Sequence, residues 1–134
     1  MSFNRMDLED RKRPEGRNAI LVYGYSKEGV QSLRTIMAEA GIDELIYIEQ
    51  ADCNQRIKEI ITDKEADAVS SYHEHDDKVI IFNSTSQYEV NAFITKLFKD
   101  VDVRPIVAMV TPTSKKWQFS ELVEELKREK EALK

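Results

Sequence analysis

Apolar residues first gather at Ala19-Ile20-Leu21-Val22-Tyr23, a β-leaning run stopped by Gly24 that reads as a strand buried on both faces. Ser26 then offers an N-cap. Val30, Leu33, Met37 and Ala40 recur at steps of three and four, predicting a helix with one apolar stripe and Gly41 as its left-handed stop. Residues 45–48 predict a second short strand. Asp52 and Gln55 have the spacing of a capping box, and Cys53, Ile57, Ile60 and Ile61 supply the next stripe. After an acidic stretch at 62–78 the pattern restarts. Val79-Ile80-Ile81-Phe82 reads as a strand, and Ser86 with Glu89 forms a capping box ahead of a stripe of Val90, Phe93, Ile94, Leu97 and Phe98. Pro105 opens a strand over Ile106-Val107-Ala108-Met109-Val110. A last helix runs from about Phe119 through Leu122, Val123 and Leu126 to Leu133, with Glu124 and Arg128 at the favourable i,i+4 spacing.

The restart has a fixed offset. A shift of 60 lays Ile20 on Ile80, Ser26 on Ser86, Val30 on Val90 and Thr35 on Thr95 without a gap, and Ile46 on Ile106 keeps its apolar character. Each half, 19–65 and 79–134, reads strand–helix–strand–helix. Such alternation favours parallel strands joined by crossovers. The expected fold class is α/β: about four strands in a mainly parallel sheet, built from two β-α-β-α units with helices packed on it. A ferredoxin-like α+β arrangement is the alternative, and strand order stays open.

With 134 residues the chain makes a single α/β domain at 19–134, its two halves joined by the acidic connection. Residues 1–18 are expected to be a flexible arm: they are polar, and five bases are nearly cancelled by four acids. Net charge is −5, which argues against general attraction to nucleic acid or anionic membrane. No apolar run approaches the roughly 18 residues of a membrane span, and no signal-peptide stretch opens the chain. A cytoplasmic location is the expectation.

Candidate chemistry is sparse. Gly24 and Gly29 have phosphate-loop spacing, but Val30 and Gln31 stand where lysine and a hydroxyl are needed. A receiver domain would end its third strand in aspartate, and Asn83 is there. His73-Glu74-His75-Asp76-Asp77 resembles the start of a binuclear metallohydrolase site, yet Lys78 replaces the next histidine and no other histidine exists. No cofactor or metal is therefore expected, and His73, His75 and Asp77 are the ligands to test if one is found. Cys53 sits near a helix N-terminus, where a thiolate is favoured, but also on an apolar stripe, where it is a small core residue. What remains is three hydroxyl-rich loops: Gly24-Tyr25-Ser26, Asn83-Ser84-Thr85-Ser86 and Thr111-Pro112-Thr113-Ser114, the last followed by Lys115, Lys116 and Trp117. In an all-parallel sheet these share one edge, where ligands sit. Gly24, Tyr25, Ser26, Ser84, Thr85, Thr111, Thr113, Ser114 and Trp117 are the candidate ligand-binding residues. Capping and turn formation are the alternative use of the same hydroxyls.

The segment Thr111-Pro112-Thr113-Ser114-Lys115-Lys116-Trp117, leading into a helix with Glu121-Leu122 and Glu124-Glu125-Leu126, is similar to the domain of unknown function 3783 family. Tyr23-Gly24-Tyr25-Ser26 with Glu28 resembles the aromatic–Gly–aromatic–Ser opening of those domains. The unit at about 79–129 comes closest to the family's length, although Phe82-Asn83-Ser84-Thr85-Ser86 lacks the family's glycine. The resemblance implies no catalytic residues, because the family has no established activity. A non-catalytic interaction or regulatory domain is expected, working through a protein partner or self-association. The alternatives are small-ligand or anion binding at the carboxyl edge of the sheet, and a thiol- or metal-dependent enzyme or redox sensor at Cys53.

Overall fold

The computed structural model describes residues 12–99 and 105–132. Four strands form one sheet in the order β2-β1-β3-β4: β1 at Ala19–Tyr23, β2 at Glu44–Tyr47, β3 at Val79–Asn83 and β4 at Ile106–Met109. The helices are α1 at Lys27–Ala40, α2 at Ile57–Asp63, α3 at Gln87–Lys99 and α4 at Phe119–Ala132. Alternate residues of a strand face opposite sides, and both sides here are apolar. Ile20, Val22, Leu45, Tyr47, Ile80 and Phe82 face α1 and α3, where Leu33, Phe93 and Leu97 cover them. Leu21, Ile46, Ile48, Val79 and Ile81 face α2 and α4, under Ile57, Ile60, Phe119 and Leu122. The result is a three-layer α/β/α sandwich, in agreement with the expected class.

The sheet is mixed. β1–β2 and β3–β4 are parallel pairs, as short crossover units require, but β1 and β3 run antiparallel at the centre. Leu21 pairs with Ile81, sixty positions on, and its neighbours exchange under the same shift: Ile20 faces Phe82 and Val22 faces Ile80. In the second parallel pair the alignment slips. Ile46 partners Leu21, but Ala108 partners Ile81, so Ile106 is not the counterpart of Ile46. The slip of two residues preserves which face each side chain takes.

Local expectations hold at three helix ends. Ser26 accepts from the Gly29 amide, Gly41 closes α1 at φ 86°, and Ser86 and Glu89 bond each other's backbone amides. Two differ. Asp52 does not box with Gln55; its carboxylate accepts from the Glu49 amide around a 3-10 turn at Gln50–Asp52, and α2 starts only at Ile57. Arg128 bonds Glu125 at i,i+3 rather than Glu124.

Both connecting segments are tied down. Of the expected arm 1–18, the first eleven residues lie outside the described ones. Arg13 pairs with Asp43 and Glu89, Arg17 pairs with Glu44 and donates to the Ile61 and Lys64 carbonyls, and the buried Asn18 donates to Ser84 O. The arginines that a charge count shows cancelled by acids are here used one by one. The acidic connection lies along β2. Asp67 N–H bonds Leu45 O, Tyr72 packs edge-on against Tyr47 at 5.1 Å, and Glu49 accepts from the Ser70 and Ser71 amides.

Burial works against the charge on Glu49, but those amides and the Lys64 ammonium outweigh it and hold the carboxyl below its ordinary value. A lowered pKa contributes stability that is present above the ordinary carboxylate range and lost as pH falls through the folded value. Acidification is therefore expected to release the strap at 64–73 from β2. Glu49→Gln should lower the hydrogen-exchange protection of the Ser70 and Ser71 amides at neutral pH by roughly fivefold, the equivalent of about 1 kcal/mol. The difference from the parent chain should vanish in acid; equal protection at neutral pH would show that the carboxylate does not hold the strap.

Candidate functional site

The antiparallel join at the sheet centre divides the three hydroxyl loops between opposite ends of the sheet. Gly24-Tyr25-Ser26 leaves β1 beside the start of β3, whereas Ser84-Thr85 and Thr111 leave β3 and β4 at the other end. The single shared edge expected of an all-parallel sheet is corrected on this point. Within each loop most hydroxyls serve their own backbone. Ser26 caps α1, and Ser84 Oγ donates to Glu15 O at 2.9 Å. Thr111 and Ser114 bond each other, with Thr111 N–H donating to Ser114 Oγ and Ser114 N–H to Thr111 Oγ1. Trp117 packs beside the α2–α4 core. Thr85 differs: it is buried, and its Oγ1 has no hydrogen-bond partner among the described residues. Ser84, Thr85, Thr111 and Lys115 line a crevice of about 200 Å³ together with Pro14, Glu15 and Met109.

A larger cavity, about 390 Å³, lies at the end of β1 and contains Tyr23, Cys53, His75, Asp77, Phe119 and Lys127. Sequence reasoning did not connect these residues, which come from four separate segments. His75 stacks on the Tyr23 ring at 4.9 Å, and Asp77 pairs with Lys127 at 3.0 Å. His73 instead meets Ser71 Oγ, so His73, His75 and Asp77 do not converge. Among the described residues no three metal-ligating side chains come together. Burial, then the Asp52 carboxylate, push the Cys53 thiol above its ordinary pKa, against a hydrogen bond with Tyr23 that lowers it. The nucleophile is the thiolate, so this environment works against reactivity. Burial alone pushes the Tyr25 phenol up to about 12.

The two outer strands are finished differently. β2 is covered by the strap at 64–73, and its Leu45, Ile46 and Tyr47 are buried. β4 is half-exposed along its whole length, and Met109, at 39% exposure, is the exposed large hydrophobic of the described residues. Ile106 N–H bonds Lys78 O and Val110 N–H bonds Phe82 O, both at 2.8 Å. Strand alternation therefore turns the backbone N–H and C=O of Val107 and Met109 outward. Among the described residues nothing bonds to that side. Beside it, Val90, Ile94 and Phe98 of α3 are half-buried and pack with Val107 against the core. An apolar margin thus borders a row of free backbone groups.

Among the described residues no helix is long and apolar enough to cross a membrane. No curated protein and no solved structure matches the chain. Residues 78–133 match the family described as Domain of unknown function (DUF3783), while the Tyr23-Gly24-Tyr25-Ser26 motif falls outside the matched span. The resemblance read at Thr111-Pro112-Thr113 and Trp117 therefore holds, and it is the second β-α-β-α unit, from β3 through α4, that is matched to the DUF3783 family.

Proposed function

We propose that this chain is a non-catalytic interaction module and that its working surface is the open edge of β4, to which a partner adds a strand. The observation that carries this reading is the unequal finish of the two sheet edges. A bare, apolar edge strand is a template for further pairing, and folded proteins commonly blunt such edges with charge, proline or a covering segment. Among the described residues the β2 edge is covered and the β4 edge is not. In strand addition the main-chain bonds supply affinity and alternate side-chain positions supply specificity. Val107 and Met109 offer the bonds, and the stripe of Val90, Ile94 and Phe98 offers the adjoining apolar contact. Small-ligand binding in the Ser84–Thr111 crevice is favoured by the Thr85 hydroxyl, which has no partner among the described residues, but the Ser84 hydroxyl is taken up by the Glu15 carbonyl and those of Thr111 and Ser114 by each other.

The test is amide hydrogen exchange at Val107 and Met109 in the full chain, alone and with a synthetic peptide of residues 105–112 as the strand donor. Protection at these two amides, in either sample, at least tenfold above that of an unpaired edge is the expected result. Free exchange at both amides under both conditions would refute the reading.

A further inference from the structure

Resting on that reading of β4, we propose that the strand it takes is β4 of a second copy of this chain. The two strands pair antiparallel about a twofold axis, and the two four-stranded sheets continue into one.

Residues 105–114 contain no charged side chain, in a chain that is 34% charged. The comparable uncharged runs at 18–26 and 79–88 are largely buried around the central pair β1–β3, so their composition follows from burial; the run at 105–114 is mostly half-exposed or exposed. The neighbouring flank of α3 is neutral as well: Val90, Asn91, Ile94, Thr95 and Phe98. A twofold axis sets each residue near it against its own copy, and like charges directly opposite across a strand pair are destabilising. A neutral margin is what self-pairing requires, whereas an edge kept single in water commonly carries lysine or another charge.

A join of the same kind is already present inside the molecule. There, two β/α layers meet through the antiparallel pair β1–β3, and α1 and α3 pack across it. Leu33, Ile36 and Leu97 border the same apolar groove over that join, and Glu39 pairs with Lys96 at its rim. On α3, Ile94 and Phe98 lie some 160° around the helix from Lys96, at about 100° per residue, so they face away from α1. Antiparallel β4 pairing sets this second flank of α3 beside its symmetry mate, as the first flank is set beside α1. Size points the same way: a four-residue strand alone falls short of the roughly 1,200–2,000 Å² that stable interfaces bury, and the helix flank adds the remaining contact.

Sedimentation equilibrium of the full chain from nanomolar to near-millimolar concentration should show a monomer–dimer equilibrium. Met109→Lys, at a site exposed enough to leave the fold intact, should raise the dissociation constant roughly tenfold or more by setting like charges together. Val107→Asp should act in the same direction, with circular dichroism confirming that both variants fold. In the parent chain, protection of the Val107 and Met109 amides should rise with concentration in step with the dimer. A monomer at every concentration, or a dimer indifferent to Met109→Lys, would overturn the proposal. A monomer whose edge amides are protected by the 105–112 peptide would overturn self-pairing and leave strand addition standing. Unprotected amides throughout would remove both.

Discussion

Gly24→Ala is expected to destabilise the folded chain by roughly 3 kcal/mol, a fall in melting temperature on the order of 10 °C. Two costs add. Gly24 has φ +86°, a left-handed conformation that charges a residue with a Cβ about 1–2 kcal/mol. A Cβ built there would also lie 2.6 Å from the Asp77 carbonyl oxygen, a backbone atom that no rotamer change can move aside. That carbonyl is fixed because the incoming chain to β3 crosses directly over the turn, with His75 N–H donating to Gly24 O at 3.0 Å. Relief therefore requires the 75–78 segment to lift, which also disturbs the His75–Tyr23 stack. The counterpart sixty residues on, Ser84, also has positive φ, at 53°, but its Oγ holds the Glu15 carbonyl. Serine there trades backbone strain for a hydrogen bond, which accounts for the missing glycine in that loop. Calorimetric or denaturant unfolding of Gly24→Ala checks the figure; a loss below about 1 kcal/mol would mean that the crossing segment yields.

Glu89→Ala should cost a similar amount, about 3 kcal/mol, for an electrostatic reason. Glu89 is 5% exposed at the first turn of α3, a burial that an ionised carboxylate tolerates only when fully bonded. Its Oε1 accepts from Ser86 N–H at 2.8 Å and from the Asn18 side-chain amide at 3.2 Å, and its Oε2 accepts from Arg13 at 2.6 Å. Truncation leaves the Ser86 and Asn18 donors without their acceptor, each costing on the order of 1–3 kcal/mol. Arg13 is partly exposed and still bonds Asp43 and the Gly41 carbonyl, so its share is small. Glu89→Gln retains an acceptor for Ser86 and should lose less than half as much. Urea unfolding of the two variants separates the cap from the charge; equal losses would assign the whole effect to the carboxylate.

Both positions tie the halves of the molecule together. Gly24 lies where the segment entering β3 crosses the first unit, and Glu89 lies where the segment entering β1 meets the second. Each lead-in segment thus closes the turn of the opposite unit, so the halves stabilise one another at both ends of the antiparallel pair. The β4 margin lies outside this mutual cover. The covering strap follows α2, a helix of seven residues, whereas α4 continues for 14, and no described residue returns across β4.

The elements themselves were legible from local chemistry. A both-faces-apolar run such as Ile20-Leu21-Val22 reads as a strand covered on both faces, and Ser86 with Glu89 marks a helix start through bonds that span three residues. The apolar stripes likewise named nearly the whole core. Strand direction at the centre was not legible: a lone strand has the same residue pattern whether its neighbour is parallel or antiparallel. That direction decided that the three hydroxyl loops part company and that Tyr23, Cys53, His75 and Lys127 share one cavity. The fate of the edges belongs to tertiary structure as well. Leu45-Ile46-Tyr47 and Ile106-Val107-Ala108 are equally apolar as text, and only the path of a segment from elsewhere in the chain buries the first, while among the described residues none covers the second. Periodicity and capping act over a few residues and are written locally; direction, cover and exposure come from contacts between distant segments, which no local pattern encodes.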